Sequence, residues 1–285
     1  MSVIVDTNAH RLVTTRLKAQ IQPASANVVV RPDGRVITLP GQGGVVTGIG
    51  LGDVAARGVG DHVEPGASLG HADPAANHAI RFLSCVGNGV TVADGPAAGA
   101  RGVVYGKHGA ILAMFAPSVL ALLAPGESVV IDAQGIGLSV ERKPDLVAHS
   151  CSPQLFNALA TVDGGRLRIG VAAILPSIAA AAGIGMPAAM FNMDLNSWSA
   201  PVAELTAHLR FGDIVAVMDQ DHRFGRQHRP GWAMAGIVSH GTAVGGGHGL
   251  GLMTLLTRPA ELFDFVMSDN ACLSRLIPLQ WEGST

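Results

Sequence analysis

The hydrophobic positions of the chain fall mostly in short β-branched runs broken by glycine, a pattern that predicts strands rather than helices. "ANVVVRPDGRVITLPG", residues 26–41, sets two such runs on either side of Pro32-Asp33-Gly34 and reads as a hairpin. A turn-then-strand unit recurs in "LGDVAA" (residues 51–56), "APGESVVI" (124–131) and "RFGDIVAV" (210–217), each placing Gly plus an acid before a β-branched run. Units of this kind build small barrels.

Helical patterns are fewer. "APSVLALLAPGE" reads as a short helix stopped at Pro125-Gly126. "SPQLFNALA" and "SAPVAELTAHLRFG" both begin with Ser and then Pro, with Ser152 and Ser199 as N-caps. "RPAELFDFVMSDNACLSRL" carries a long apolar stripe near the C-terminus and is taken with the helices. The expected architecture is α+β: strand-rich, with small β-barrel-like units and a few intervening helices. "SVERKPDLVAHSCSP" is the most charged stretch between two apolar regions. It suggests an N-terminal β-rich part, residues 1–145, and a C-terminal α+β part, 146–285, which together can form one unit.

Composition narrows the function. The chain has 285 residues, 48% hydrophobic and only 14% charged, with a formal net charge of −2. Basic residues cluster only at Arg223, Arg226 and Arg229, and aromatic stacking platforms are missing, so nucleic-acid binding is not expected. The most apolar run, "VAAILPSIAAAAGIGMPAAMF", is interrupted by Pro176, Pro187 and glycines, and reads as a buried small-residue segment rather than a membrane span. No signal peptide can be drawn at the N-terminus. Three widely spaced cysteines, Cys85, Cys151 and Cys272, none in a CxxC pair, fit a reducing cytoplasm and disfavour a thiolate zinc site.

The chemistry gathers around some of the 11 histidines. "GVGDHVEPG" packs Asp61, His62 and Glu64 into four positions between glycines. In extended chain His62 and Glu64 share a face, and in "MDQDHRFGR" Asp219 and Asp221 do the same. Two carboxylates side by side need a cation between them, either a divalent metal or the nearby Arg223 and Arg226. His240 and His248 flank the glycine run of "SHGTAVGGGHGLG", and Lys107-His108 stands in "YGKHGA". Asp194, in "MFNMDLNS", either joins such a site or caps a helix. Each residue also has a structural reading: Asp61 as a turn cap, Asp219 and Asp221 as Asx-turn formers, the histidines as backbone-bonded loop residues. As a set, glycine-flanked imidazoles and acids on loops favour function. Neither glycine-rich stretch matches a phosphate loop, and no Gly-x-Ser-x-Gly elbow occurs. Cys85 reads as a core residue.

"LPGQGGVV", "GDHVEPG", "GNGVTV", "GKHGA", "LRFGDIV…DQDHRFGR" and "VSHGTAVGGGHGLG" occur in the order found in a bacterial and archaeal family, domain of unknown function 4438. The chain resembles that family over roughly residues 28–255, with two departures: Gln220 and His222 where the family usually has His and Asn, and Leu250 where it has Pro. The resemblance implies no activity. A looser likeness links "GDVAARGVGDHVE" to acetamidase- and formamidase-type metal hydrolases through two Gly-Asp pairs and the following acid.

These observations lead to the expectation of a metal-dependent hydrolase acting on an amide, lactam or lactone bond of a small carboxylate-bearing molecule. His62, Asp219, Asp221, His240 and His248 are the expected ligands of a divalent metal, zinc first and manganese second. Asp61, Glu64, Lys107 and His108 are the expected catalytic groups, Lys107 or His108 steadying an oxyanion. Arg223, Arg226 and Asp194 are expected to hold the substrate. A lyase or isomerase at the same site and a non-enzymatic ligand-binding or scaffold protein are the alternatives. The high apolar content suggests a homo-oligomer in each case.

Overall fold

The computed structural model describes residues 3–278 apart from 58, 59, 141, 142, 144, 182, 184, 198 and 244. Gly58 and Val59, at the head of the "GVGDHVEPG" stretch, and part of the expected boundary near residue 145 therefore lie outside the described residues.

The N-terminal half is a closed barrel. Its six strands run in the order Thr15–Ile21, Ser128–Ala133, Gly89–Val92, Arg101–His108, Ala110–Met114 and Gly66–Gly70. Pairing of Gln20 with Gly70 and Ile21 with Leu69 closes it. Inward residues such as Ala19, Ile21, Leu69, Val90, Ile111, Val129 and Ile131 are buried. Closure leaves no sheet edge exposed, and the small apolar side chains fill the interior. The predicted hairpin forms beside the barrel as a separate two-stranded ribbon, Ala24–Val30 with Val36–Gly43, in the register Val30 to Val36.

The C-terminal half is built on a second sheet. Val147–Ala148, Gly251–Pro259, Gln227–His240, Ile214–Asp221 and Ala173–Leu175 lie side by side, and Met193–Asp194 pairs with Gly251 and Leu252. A smaller four-stranded sheet joins the halves: Val3–Ile4 pairs with Ala160–Asp163, followed by Arg166–Val171 and Phe263–Met267. One hydrophobic cluster runs through both halves, from Val5 to Ile277, and a second packs under the sheet of the C-terminal half around Leu175, Phe211, Val217 and Leu252. The α+β class and the barrel agree with the sequence reading.

Helices sit at the connections. Pro153–Leu159 starts as predicted, with the Ser152 hydroxyl accepting from Leu155 N at 3.1 Å. Pro117–Leu120 and Ala200–Thr206 also form, although Ser199 makes no side-chain cap. Three expectations change. "LGDVAA" is a turn and a short 3-10 segment, Ala55–Arg57, because Val54 makes only an isolated bridge with Arg210. The stripe of 258–276 is not one helix: Phe263–Met267 adds in parallel to Arg166–Val171 as a strand, and only Leu273–Leu276 is α-helical. Pro74–Leu83 is a helix not foreseen, capped by Asp73 Oδ1 accepting from Ala76 N at 2.8 Å. Among the described residues no helix is long and apolar enough to cross a membrane, and the three cysteines are buried and unpaired.

Candidate metal centre

The barrel and the C-terminal sheet meet where four chain segments end. The Gly60–Pro65 loop is tied down by its backbone: Asp61 N donates to Pro40 O, Glu64 N to Gly41 O, His62 N to Thr242 O and Gly241 N to Val63 O. His108 ends the barrel strand Arg101–His108, and His240 ends the strand Gln227–His240. His248 stands in the turn that follows, closed by its bridge to Ala243, and Asp194 comes from the short strand laid against Gly251. This convergence brings four imidazoles together.

Their ring centroids lie 5.1 Å apart for His62 and His108, 5.3 Å for His62 and His240, 4.8 Å for His62 and His248, 4.3 Å for His108 and His240, and 5.9 Å for His240 and His248. His62 Nε2 and His248 Nε2 are separated by 3.0 Å. Space for His240 exists only because residue 251 is glycine: a Cβ there would fall 2.1 Å from His240 Nε2. His62 has φ of 51°, a left-handed conformation that costs a non-glycine residue on the order of 1–2 kcal/mol and is found where neighbouring structure imposes it.

The other ring nitrogens fix the tautomers. His240 Nδ1 lies 2.7 Å from Gly241 O and His248 Nδ1 lies 3.1 Å from Gly249 O. A carbonyl only accepts, so both Nδ1 atoms carry the proton and the neutral rings present lone pairs at Nε2. His108 Nδ1 donates to Glu64 Oε1 at 2.5 Å. His62 Nδ1 is 3.4 Å from Asp61 Oδ2, outside hydrogen-bond geometry. Glu64 is itself buried and held by Gly43 N at 3.0 Å and Ser68 Oγ at 3.1 Å, and Asp61 accepts from Gly245 N at 3.2 Å. Glu64 thus acts through His108, whereas Asp61 is spent on the Gly245 amide beside His62.

The electrostatics favour the neutral form at His62 and His240. Burial, joined by the fields of His240 and His108, pulls the His62 pKa down to about 4. Burial also lowers His240, against the opposing pull of Asp194. Asp194 Oδ1 is 3.4 Å from His240 Nε2 and 3.7 Å from His248 Nδ1. Burial alone would raise its carboxyl, but the imidazoles of His240, His248 and His108, when one of them carries a second proton, draw it below the usual carboxylate range. Imidazole nitrogens beside a carboxylate form a donor set suited to zinc or manganese. Among the described residues, no three His, Cys, Asp or Glu side chains already enclose a common ion position. One reason is visible: Asn192 Nδ2 lies 2.6 Å from His240 Nε2 and covers its lone pair.

Of the residues singled out in the sequence, Asp61, His62, Glu64, His108, Asp194, His240 and His248 therefore meet. The structure does not bring the others to the imidazoles. Asp221 is clamped by Arg223 Nη2 at 2.9 Å and Arg229 Nη1 at 3.0 Å, so its charge is already matched. Asp219 sits in a bulge between Met218 and Gln220 with φ of 57°, accepting from Gly231 N at 3.0 Å, so it does not share a face with Asp221. Arg223 lies over the Trp232 ring at 3.8 Å. Lys107, adjacent to His108 on the strand, sends Nζ to Ala189 O at 2.6 Å instead. Arg226 is buried, and burial draws its pKa down to about 10 against the pull of Asp194, its electrostatic link to the centre. Asp53, from the first of the two Gly-Asp pairs, only closes its own turn by accepting from Gly50 N at 2.8 Å. Asn192 was not foreseen; its place two residues before Asp194 is the signal that could have found it.

A solved structure titled "Crystal structure of TM1086" is similar to this chain, with a TM-score of 0.87 and 32% sequence identity over 95% of this chain and 99% of that one. None of the curated proteins matches the chain. The N-terminal model of domain of unknown function 4438 matches residues 28–157 and its C-terminal model matches residues 158–277. With the barrel, the sheet and the imidazoles drawn from both matched halves, the chain belongs to the family of domain of unknown function 4438.

Proposed function

We propose that the protein is a divalent-metal-dependent hydrolase of amide, lactam or lactone bonds, with zinc the first candidate ion and manganese the second. The observation that carries this reading is the orientation of the histidines. Three Nδ1–H groups are spent on Glu64, Gly241 and Gly249, and the fourth ring has Asp61 at its Nδ1. Histidines that ligate metals are characteristically held through their second nitrogen in this way. At zinc–nitrogen distances of about 2.0–2.1 Å, two cis ligands lie about 3.0–3.4 Å apart, and the 3.0 Å between His62 Nε2 and His248 Nε2 falls within that spacing.

His62, His240, His248 and the ionised Asp194 would hold the ion, with His108 close by on the ring of His240. Loading requires Asn192 to leave His240 Nε2. The ion would lower the pKa of a bound water toward neutrality and polarise the substrate carbonyl. Glu64 keeps His108 in place through its Nδ1, and the backbone carbonyls of Gly241 and Gly249 do the same for His240 and His248. The ribbon that exposes Val28, Val30 and Val36, at 62%, 64% and 63%, supports self-association as a homo-oligomer.

Elemental mass spectrometry of gently purified, untagged protein tests the reading, followed by a screen of amides, lactams and lactones on the loaded enzyme. Near-stoichiometric zinc or manganese and water-consuming cleavage are expected. Wild-type protein that binds neither ion after incubation with each would sink it.

A further inference from the structure

Lys107 is a cation with no side-chain exposure, set in the barrel strand beside His108. Its side chain is fully buried and Nζ is hydrogen-bonded to Ala189 O at 2.6 Å. Among the described residues no carboxylate stands within ion-pair distance of it; the titratable groups that act on it are the Cys85 thiol and the Arg81 guanidinium, a second cation. Burial brings its pKa down to about 8. An ammonium held in this way is costly unless an anion visits it. Ser150 Oγ, also fully buried, donates to the same Ala189 oxygen at 3.0 Å. Two buried donors therefore converge on one acceptor, and that acceptor belongs to a turn.

The turn is Pro187–Asn192, closed by Met190 N and Phe191 N on Pro187 O. Its other end carries Asn192, whose amide covers His240 Nε2. One short segment thus places an acceptor oxygen on a buried ammonium and a carboxamide against an imidazole of the metal centre. Ala189 and Asn192 are three positions apart, so their Cα atoms are at most about 11 Å from one another.

We propose that this segment occupies the positions of the substrate, and that Lys107 and Ser150 form the seat for a substrate carboxylate. The inference rests on the hydrolase reading and names its substrate class: an anionic amide whose carboxylate takes the place of Ala189 O and whose amide takes the place of the Asn192 side chain. A linear molecule of a few carbons between the two groups spans the distance. The segment must swing away for binding, uncovering seat and metal centre together.

Calorimetric titration with succinate, glutarate and adipate, beside the neutral diamides of the same acids, tests this without turnover. At least one dicarboxylate is expected to bind, with its diamide at least tenfold weaker. Lys107→Met, which keeps length and removes charge, should weaken dicarboxylate binding at least tenfold while leaving metal content and circular dichroism unchanged. Ser150→Ala, a smaller change, should weaken it several-fold and serves if the lysine variant does not fold. Equal affinity for acids and diamides, no dicarboxylate binding at all, or unchanged affinity in both variants would overturn the proposal. Lysine-dependent dicarboxylate binding in a protein that takes up no metal would keep the seat and remove the hydrolase, so the two readings fail separately.

Discussion

His62 and His248, 186 positions apart in the chain, place their Nε2 atoms 3.0 Å from one another. Two imidazole nitrogens at that distance either share one proton or face one ion. The tautomer of His248, set by its Nδ1 contact with Gly249 O, leaves the lone pair on its side of the gap. His62→Gly is the variant that asks which, because glycine takes the φ of 51° without strain. It should lose bound zinc or manganese with its fold retained. Asp219→Gly, also at a left-handed position, should leave metal content unchanged. Elemental analysis of the two side by side reads the result, and loss of metal in the aspartate variant alone would return the ligand set to the second pair of acids.

Acid sensitivity should follow the buried histidines. Burial draws His62 and His149 down to about 4 and His222 to about 3, below the unfolded value of 6.5. Between those values the unfolded chain binds more protons than the folded one, so stability is full above pH 6.5 and is lost as the pH falls. The two deeply buried rings, His149 and His222, each account for on the order of 3 kcal/mol once the pH passes below the folded value, and the half-buried His62 for less. Thermal melts from pH 7.5 to 4 should show a steep decline in Tm, and His222→Asn, which keeps a polar group near Thr254 Oγ1, should flatten it. A Tm that does not move over that range would contradict the burial of neutral rings.

Glycines around the centre differ in what they do. Gly251→Ala should abolish metal uptake, since its Cβ would meet His240 Nε2 at 2.1 Å and Asn192 Nδ2 at 2.5 Å. Gly247→Ala meets no atom within 4 Å but sits at φ of 66°, so it should cost about 1 kcal/mol of stability and leave the metal in place. Denaturant unfolding with metal analysis on both proteins separates crowding from backbone strain.

Away from the centre, Arg258 is buried and gives Nη2 and Nε to Asp145 Oδ2 at 2.5 Å and 3.1 Å. Its field and hydrogen bonds hold the Asp145 carboxyl below the usual range despite burial. Asp145→Ala strands the guanidinium and should cost about 2–3 kcal/mol, reduced from the fully buried case because the carboxylate is partly exposed. Chemical denaturation measures it, and a change within experimental error would show that the Leu262 carbonyl suffices.

The centre was legible where local chain chemistry makes it: glycine-flanked His62, His108, His240 and His248 lie on loops and strand ends whose turns are written in neighbouring residues. It was not legible where it depends on strand irregularity. The rule that residues two apart share a face fails at Asp219 because a bulge intervenes at Met218 and Gln220. Conversely, strand alternation separates Lys107 from His108, and applying it would have sent the lysine elsewhere. The barrel and predicted hairpin follow from β-branched runs, whereas the strand Phe263–Met267 was hidden in an apolar stripe. Its partner, Arg166–Val171, is some hundred positions earlier, and no local pattern announces a parallel pairing.

The short strand Val3–Ile4 closes against Ala160–Asp163, on the far side of the boundary between the two family halves. During synthesis, then, this strand must wait for more than 150 further residues before it finds its partner. The two family halves are therefore tied by a strand pairing far from their junction as well as by the chain that runs through it.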